Sequence, residues 1–471
     1  MKLRVWSGMV LLCSLLSAVG NSQTTEKYLD RRMPASWHTD SIFQQTLPID
    51  DRWWEVFKDP LLDSLIAVAI RQNYDLGMAI DRIDMARSNL DIQRGAYSPT
   101  FGVTGGWTQQ QSSGHTSSLP QEKNHYASAA LSMSWEVDVF GSIRNRVKAQ
   151  RELFAASEEE YNATMVSLSA QVASTYIQLR EIQQELIVAQ INMASQAQVL
   201  HITEVRYNTG LVSKLDVAQA RSVYYNTKAS IPVLEAGIIQ YINALAVLLG
   251  LYPSDVQTIL EKPVALPDYI ELISVGMPSN LLRRRPDIRA AERQVNAQAA
   301  QVGASRSDWW PKFYLKGSVG FASKKADDFF NHNSLTYEIA PTVSINLFQG
   351  AQLINATKLA RSQLDETIKQ FNLTVLTAVQ EVDNAMSSYR NSIKQIVAMR
   401  EVVNQGKETL QLSLELYKQG LTPFQNVLDA QRSLLSYENA LVQARGNSLL
   451  YLIQLYQALG GGWDYNEQVY N

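Results

Sequence analysis

This chain of 471 residues is poor in the groups that do covalent chemistry. It has one cysteine, Cys13, inside the N-terminal apolar run, so disulfides cannot hold the mature protein together. Its five histidines (His38, His115, His125, His201 and His332) are scattered without metal-ligand spacing. No nucleophile–base pairing and no phosphate-cradling glycine loop stands out, so neither an enzyme nor a bound metal or cofactor is expected. A net charge of only −3 points away from nucleic acid. With 23 Gly and 14 Pro the chain is not of a disordered or fibrous class. Beyond the N-terminus no uninterrupted run reaches about 18 apolar residues, so no spanning helix is expected. Membrane insertion would have to use strands.

What is present begins with a secretory signal. Lys2 and Arg4 precede an apolar run to about Val19, and Ala18 and Gly20 form a small-x-small cleavage site. Residues 1–20 are therefore read as a signal peptide.

The rest of the chain repeats itself. Tyr207, Gly210 and Leu211 return 210 residues later as Tyr417, Gly420 and Leu421. Asn73, Asp75 and Leu76 return 212 residues later as Arg285, Asp287 and Ile288. Val217, Ala220 and Gly250 return as Val427, Ala430 and Gly460. A near-constant offset marks a duplicated architecture. The first repeat takes 21–250: an N-terminal segment, a short helix, a hairpin at about 100–140, a long helix over 141–207 and a short helix over 214–250. A Pro-rich connector takes 251–280. The second repeat takes 281–471, with a hairpin at about 312–348, a long helix over 350–417, a short helix over 424–460 and a tail.

Four segments alternate with period two, the signature of strands with one apolar and one polar face. Odd positions carry Phe101, Val103 and Trp107; Ala127 to Val139; Phe313 to Phe321; and Tyr337 to Leu347. A soluble antiparallel sheet over a core would read the same way. Strands of nine to thirteen residues, aromatics towards their ends and long polar loops instead fit a membrane barrel. Four strands cannot close, and an open edge in lipid leaves unpaired N–H and C=O groups, so several copies must share one barrel. Three copies supply twelve strands, whereas two supply eight, too narrow for an open lumen. Pro341 removes a ladder donor, for which a local bulge is expected.

The two long helices carry heptad stripes, from Tyr161 to Tyr207 and from Phe371 to Tyr417, in register at the same offset. Each would be about 100 Å long. Residues 65–98 with 214–250, and 281–308 with 424–460, nearly match the long helices in summed length, so paired short helices should run alongside each long one. Three copies then make a twelve-helix cylinder continuing the strand cylinder, a tube of roughly 140 Å.

Several motifs resemble the TolC-like outer-membrane efflux proteins, in the NodT-type branch serving drug and metal efflux. They are Arg285, Pro286, Asp287 and Ile288 within 282–292; Trp53, Trp54, Phe57, Asp59 and Pro60; Tyr207 with Gly210; and Gly420 with Val427, Asp429 and Arg432. The resemblance covers about 45 to 464. It implies a homotrimer in the outer membrane of a Gram-negative bacterium, with a twelve-stranded barrel and a twelve-helix periplasmic tunnel. It also implies a passive exit duct docked to a periplasmic adaptor (a membrane fusion protein) and an inner-membrane RND-type transporter, with outer-membrane lipid around the barrel. The exit duct of a type I protein-secretion system shares the fold, and a coiled-coil scaffold without a pore is the reading from another class. Many members are lipidated at cysteine, but Leu12 before Cys13 and Leu15 and Leu16 after it argue against an anchor here.

The tips of the long helices are where function is expected. Gly210 and Gly420 are read as left-handed C-terminal residues. Ser213 with Asp216, and Thr422 with Pro423 and Gln425, are read as capping boxes, with Pro423 at the first helical position. These turns would dock the adaptor. Asp429 lies two turns inside its helix. The resemblance makes it a threefold carboxylate ring at the closed aperture, with Asn426 where some relatives have a second acid; the plain alternative is an exposed carboxylate beside Arg432. Asp216 is either the capping acid or, as the resemblance implies, a hydrogen-bond partner of Tyr417 holding the inner helix pair shut, in which case Tyr417→Phe should favour the open state; Tyr417 also ends the heptad stripe, so packing alone would explain it. Arg283 to Arg285 invite an anion-site reading, but their position before Pro286 and Asp287 at a helix start favours a structural salt-bridge role.

Overall fold

The computed structural model describes residues 28–31, 33, 34, 36, 37, 43, 44, 52–111, 113, 115, 123–268, 273–276 and 278–463. The expected signal peptide with Cys13, most of the loop between 112 and 124, and the tail from 464 lie outside the described residues. Strand β1 (Phe43–Gln44) comes first, followed by α1 (Pro60–Gln72) and α2 (Tyr74–Gly95). A hairpin, β2 (Thr100–Gln111) and β3 (Lys123–Val137), leads into α3 (Ser142–Asn208), α4 (Lys214–Leu248) and α5 (Pro253–Leu260). Strand β4 (Ile273–Ser274) pairs in parallel with β1. Then come α6 (Leu281–Arg284), α7 (Pro286–Ser307), a second hairpin of β5 (Lys312–Ser323) and β6 (Leu335–Ser344), α8 (Gln352–Lys418) and α9 (Phe424–Ala458).

The long helices α3 and α8 have 67 residues each, about 100 Å of helix. Helices α2 and α4 line α3, α7 and α9 line α8, and α7 also packs against α3. The heptad stripes explain this packing. In α8, Phe371, Val375, Ala378, Val382, Ala385, Tyr389, Ser392, Ile396, Val403, Gly406 and Tyr417 are all buried. In α3 the stripe is buried or half-buried down to Thr203, and only Tyr207 at its end is exposed. The largest core cluster lies where α1, α3, α4, α8 and α9 meet, around Trp53, Leu62, Ile66, Tyr176, Leu245, Phe371 and Leu452.

Local chemistry breaks the expected single helix over 65–98 into two. Asn73 takes extended backbone and accepts from the amides of Asp75 and Leu76, capping α2 while ending α1. Helix α4 meets the length and mean hydropathy (1.6) of a membrane-crossing helix, which counting uninterrupted apolar runs did not register. It runs along α3 and contains Pro232.

The strands form one antiparallel sheet in the order β2-β3-β5-β6. Its register pairs odd residues with odd throughout: Val103 faces Leu131, Leu131 faces Val319, and Val319 faces Tyr337. Every apolar residue of the alternating pattern therefore lies on one face. Among the described residues, β2 and β6 each have one unpaired edge. Pro341 sits in β6, opposite Leu315, in an unbroken one-to-one register. No bulge accommodates it, and it stands in a strand that is at the edge of the sheet within one chain. Strand β6 ends at Ser344, so Ile345 and Leu347 fall beyond it.

Candidate functional site

At the tip, α3 turns into α4 and α8 into α9 through matching turns. Gly210 (φ 70°) and Gly420 (φ 76°) are left-handed. The amides of Leu211 and Leu421 reach back to the carbonyls of Arg206 and Leu416, both at 2.9 Å. A β-carbon at either glycine would strain this closure.

The two helix starts differ. Ser213 caps α4: its hydroxyl accepts from the Asp216 amide at 3.4 Å and lies 3.3 Å from the Asp216 carboxylate. The carboxylate thus meets the Ser213 hydroxyl rather than its backbone amide, and the box is half formed. The second box is absent. Pro423 is the N-cap residue itself, with extended backbone, and Phe424 is the first helical residue. Thr422 is one residue too early to reach the free amides; its hydroxyl instead accepts from the Asn426 side chain.

Asp429 is exposed and accepts from Gln425 at 2.9 Å, one turn back; it makes no ion pair with Arg432. With Asn426, Glu401, Gln405 and Tyr437 it lines a groove of about 820 Å³ between α8 and α9. Glu401 was not singled out in the sequence because it is one of many exposed carboxylates on α8; only the pairing of α8 with α9 sets it beside Asp429.

Tyr417 is buried, its ring 5.3 Å from that of Phe424. Around them Val199, Ala220, Val223, Val427 and Leu428 close a small core joining the two hairpins. The Tyr417 hydroxyl faces Thr203 without a hydrogen bond of normal geometry, and it is not bonded to Asp216. Burial raises its pKa, and the nearby Asp216 charge adds to this. The tie between the hairpins is Arg206: its guanidinium lies 4.9 Å above the Tyr417 ring and donates to the Lys418 carbonyl at 2.6 Å. No local pattern marks Arg206, whose acceptor is 212 residues away.

At the starts of α2 and α7 the duplication recurs in one contact. Asn73 donates to the Leu248 carbonyl at 2.8 Å, satisfying the last turn of α4. Its counterpart Arg285 donates to the Ala458 carbonyl of α9 at 2.8 Å. Arg285 also binds Glu381 of α8 at 2.7 Å and holds Asp287 with two bonds, at 3.0 and 2.7 Å. Its Asp287 partner in turn accepts from the Ile288 amide at the start of α7. The Trp53 motif has a similar structural use. Trp53 stacks on Tyr456 at 5.5 Å, and Asp59 caps α1 while accepting from the Tyr176 hydroxyl.

One carboxylate of α3 titrates in the neutral range. Burial, with the charge of Glu185 second, raises Glu181 from the ordinary value of 4.5 to about 7. Its carboxylate packs over Gly446 of α9, and Glu185 one turn on accepts from Gln443. Between 4.5 and 7 the folded chain holds a proton that the unfolded chain has released, so stability should fall as pH rises through that window and level off above it. Urea midpoints measured across the window should show this slope, and Glu181→Gln should flatten it; an unchanged slope would assign it to other groups.

Known proteins share this architecture. A family profile described as outer membrane efflux protein matches residues 65–251 and 277–461. The toluene efflux pump outer membrane protein TtgI of Pseudomonas putida is 32% identical over 423 residues, 88% of each chain. The pyoverdine export outer membrane protein OpmQ of Pseudomonas aeruginosa is 28% identical over 468 residues, 98% of this chain and 97% of that one. The solved outer-membrane channel OprN superposes with a TM-score of 0.86 at 29% identity, covering 92% of this chain and 98% of that one.

Proposed function

Because this chain belongs to the outer membrane efflux protein family and is an efflux channel of the outer membrane reaching into the periplasm, we propose that three copies pool their sheets into a twelve-stranded barrel continued by twelve helix columns. The observation that carries this is the open sheet: four strands, one apolar face and unpaired edges on β2 and β6. In lipid those edges need partners, and β2 of one copy against β6 of the next supplies them.

The duct is passive. A periplasmic adaptor docks at the turns around Gly210, Ser213, Gly420, Thr422 and Pro423, and an inner-membrane RND-type transporter delivers the cargo. The cargo is a small toxic compound, a reading supported by relatives named for toluene efflux and pyoverdine export. Relatives of this kind do not favour protein secretion. Full-length protein in planar bilayers should conduct, and native mass spectrometry should show three chains. A single non-conducting chain would leave only a periplasmic scaffold.

The tip is the gate of this reading, with Arg206 as its latch. Loss of a hydrogen bond from a charged donor costs about 1.5–3 kcal/mol, so Arg206→Ala should raise open probability roughly tenfold or more. Tyr417→Phe removes a hydroxyl with no well-formed hydrogen bond, and open probability should stay unchanged, the reverse of what the family resemblance implies. Bilayer recordings of both variants test this; a leaky Tyr417→Phe channel beside a tight Arg206→Ala channel would return the latch to Tyr417.

A further inference from the structure

Where α7 gives way to β5, beside the first turns of α8, lies a cavity of about 650 Å³. Trp309, Trp310 and Ile354 wall it, and Arg306, Lys358 and Arg361 rim it. The tryptophans are positioned: Trp309 donates to the Thr357 hydroxyl at 2.9 Å, and Trp310 stacks on Phe140 at 5.1 Å. The three cations are not. None makes an ion pair or side-chain hydrogen bond among the described residues. Arg306 is in the last turn of α7, where a cation suits the helix dipole. Lys358 and Arg361 are in the second and third turns of α8, where the dipole gives them no such support.

The side of the sheet is readable from ring contacts. Phe140 touches Trp310 and also Phe313, which belongs to the apolar face. The polar face at the same height holds the acids: Asp308 pairs with Arg146 at 3.1 Å and with Lys312 at 3.3 Å, and Glu136 lies 3.9 Å from Lys312. The cavity therefore opens on the apolar side, two residues below the first residue of β5, where the apolar face of the sheet ends. An amphipathic tryptophan pair there belongs at a membrane–water boundary. A basic pocket at that level suits an anionic lipid headgroup, and the volume is that of a small-ligand site.

We propose that this cavity is a lipid site. It takes the phosphate-bearing headgroup of an anionic glycerophospholipid from the periplasm-facing leaflet. The phosphate sits among Arg306, Lys358 and Arg361, and the acyl chains lie along Trp310, Ile354 and Phe140. The site rests on the proposed membrane sheet with its apolar face in lipid.

The test uses full-length protein in mild detergent with added phosphatidylglycerol, read by native mass spectrometry. The comparison is R306Q/K358Q/R361Q, with the charge-keeping R306K/K358R/R361K as control. At about fivefold per cation near a lipid surface, the neutral triple variant should lose retained phosphatidylglycerol on the order of 100-fold, and the charge-keeping variant should not. Phosphatidylethanolamine should be held weakly, and millimolar inorganic phosphate should not displace phosphatidylglycerol. Equal retention by wild type and the neutral variant overturns the proposal. So does displacement by free phosphate, which would make this a plain anion site. Loss of the assembly with lipid retention unchanged also overturns it, because the cations then bind a neighbouring copy. Wild type that fails to insert into bilayers overturns the barrel reading, and this proposal falls with it.

Discussion

Arg285→Ala should be the most destabilising single change at the starts of α2 and α7. The guanidinium is buried and serves three partners at once: Glu381 of α8, Asp287 of α7 and the terminal carbonyl of α9. Removing one member of a buried ion pair costs about 3–5 kcal/mol, because the groups left behind keep their desolvation without their compensation. Glu381 and Asp287 are 48% and 39% exposed and can partly rehydrate, which favours the lower end of that range. The Ala458 carbonyl has no such relief. Arg285→Lys keeps the charge but cannot span Asp287 with a fork, so an intermediate loss is expected. Asn73→Ala, the same edit in the first repeat, removes a neutral cap and should cost only about 1–2 kcal/mol. Denaturant midpoints of the three variants give this order. Wild-type stability of Arg285→Ala would mean that the hub has no net stabilising effect.

Asp429→Ala should weaken block by multivalent cations and raise single-channel conductance. In the proposed trimer three Asp429 carboxylates surround the axis at the narrow end. Taking a divalent cation about 8 Å from all three, Coulomb's law in water gives about 3 kcal/mol of attraction, and physiological salt reduces it to about 1 kcal/mol. That corresponds to block by multivalent cations weakened roughly five- to tenfold, accompanied by higher single-channel conductance. Glu401 shares the groove with Asp429 and should retain part of the block, so Asp429→Ala with Glu401→Ala should lose more than either alone. Unaltered conductance and block in Asp429→Ala would remove this residue from the aperture.

Much of the architecture was legible because it follows from local rules. The heptad stripe of α8 is a statement about which face of one helix is apolar, and that face is buried from Phe371 to Tyr417. Period-two alternation in four segments foretold the single apolar face that the odd-to-odd register produces. Gly210 and Gly420 were legible because a left-handed closing residue leaves a signature at its own position. The misreadings share a cause. Pro423 was placed one residue too far into α9, and the break at Asn73 was missed, because cap positions depend on where the backbone first turns extended. Arg206 leaves no mark in the sequence, and the choice between capping Ser213 and bonding Tyr417 stays open for Asp216, because the partners that decide both lie on the other hairpin.

The sequence alone settled what each element is: its period, its apolar side and its duplicated order, all imposed by the geometry of neighbouring residues along the backbone. Tertiary structure decided what those elements do to one another. Only the strand order makes β2 and β6 the open edges and gives Pro341 its place. Only the docking of the hairpins lets Arg206 reach the Lys418 carbonyl, and only the junction of α7 with α8 gathers three unpaired cations around two tryptophans. Those contacts join residues tens to hundreds of positions apart, and no pattern within a single element encodes the closure that brings them together.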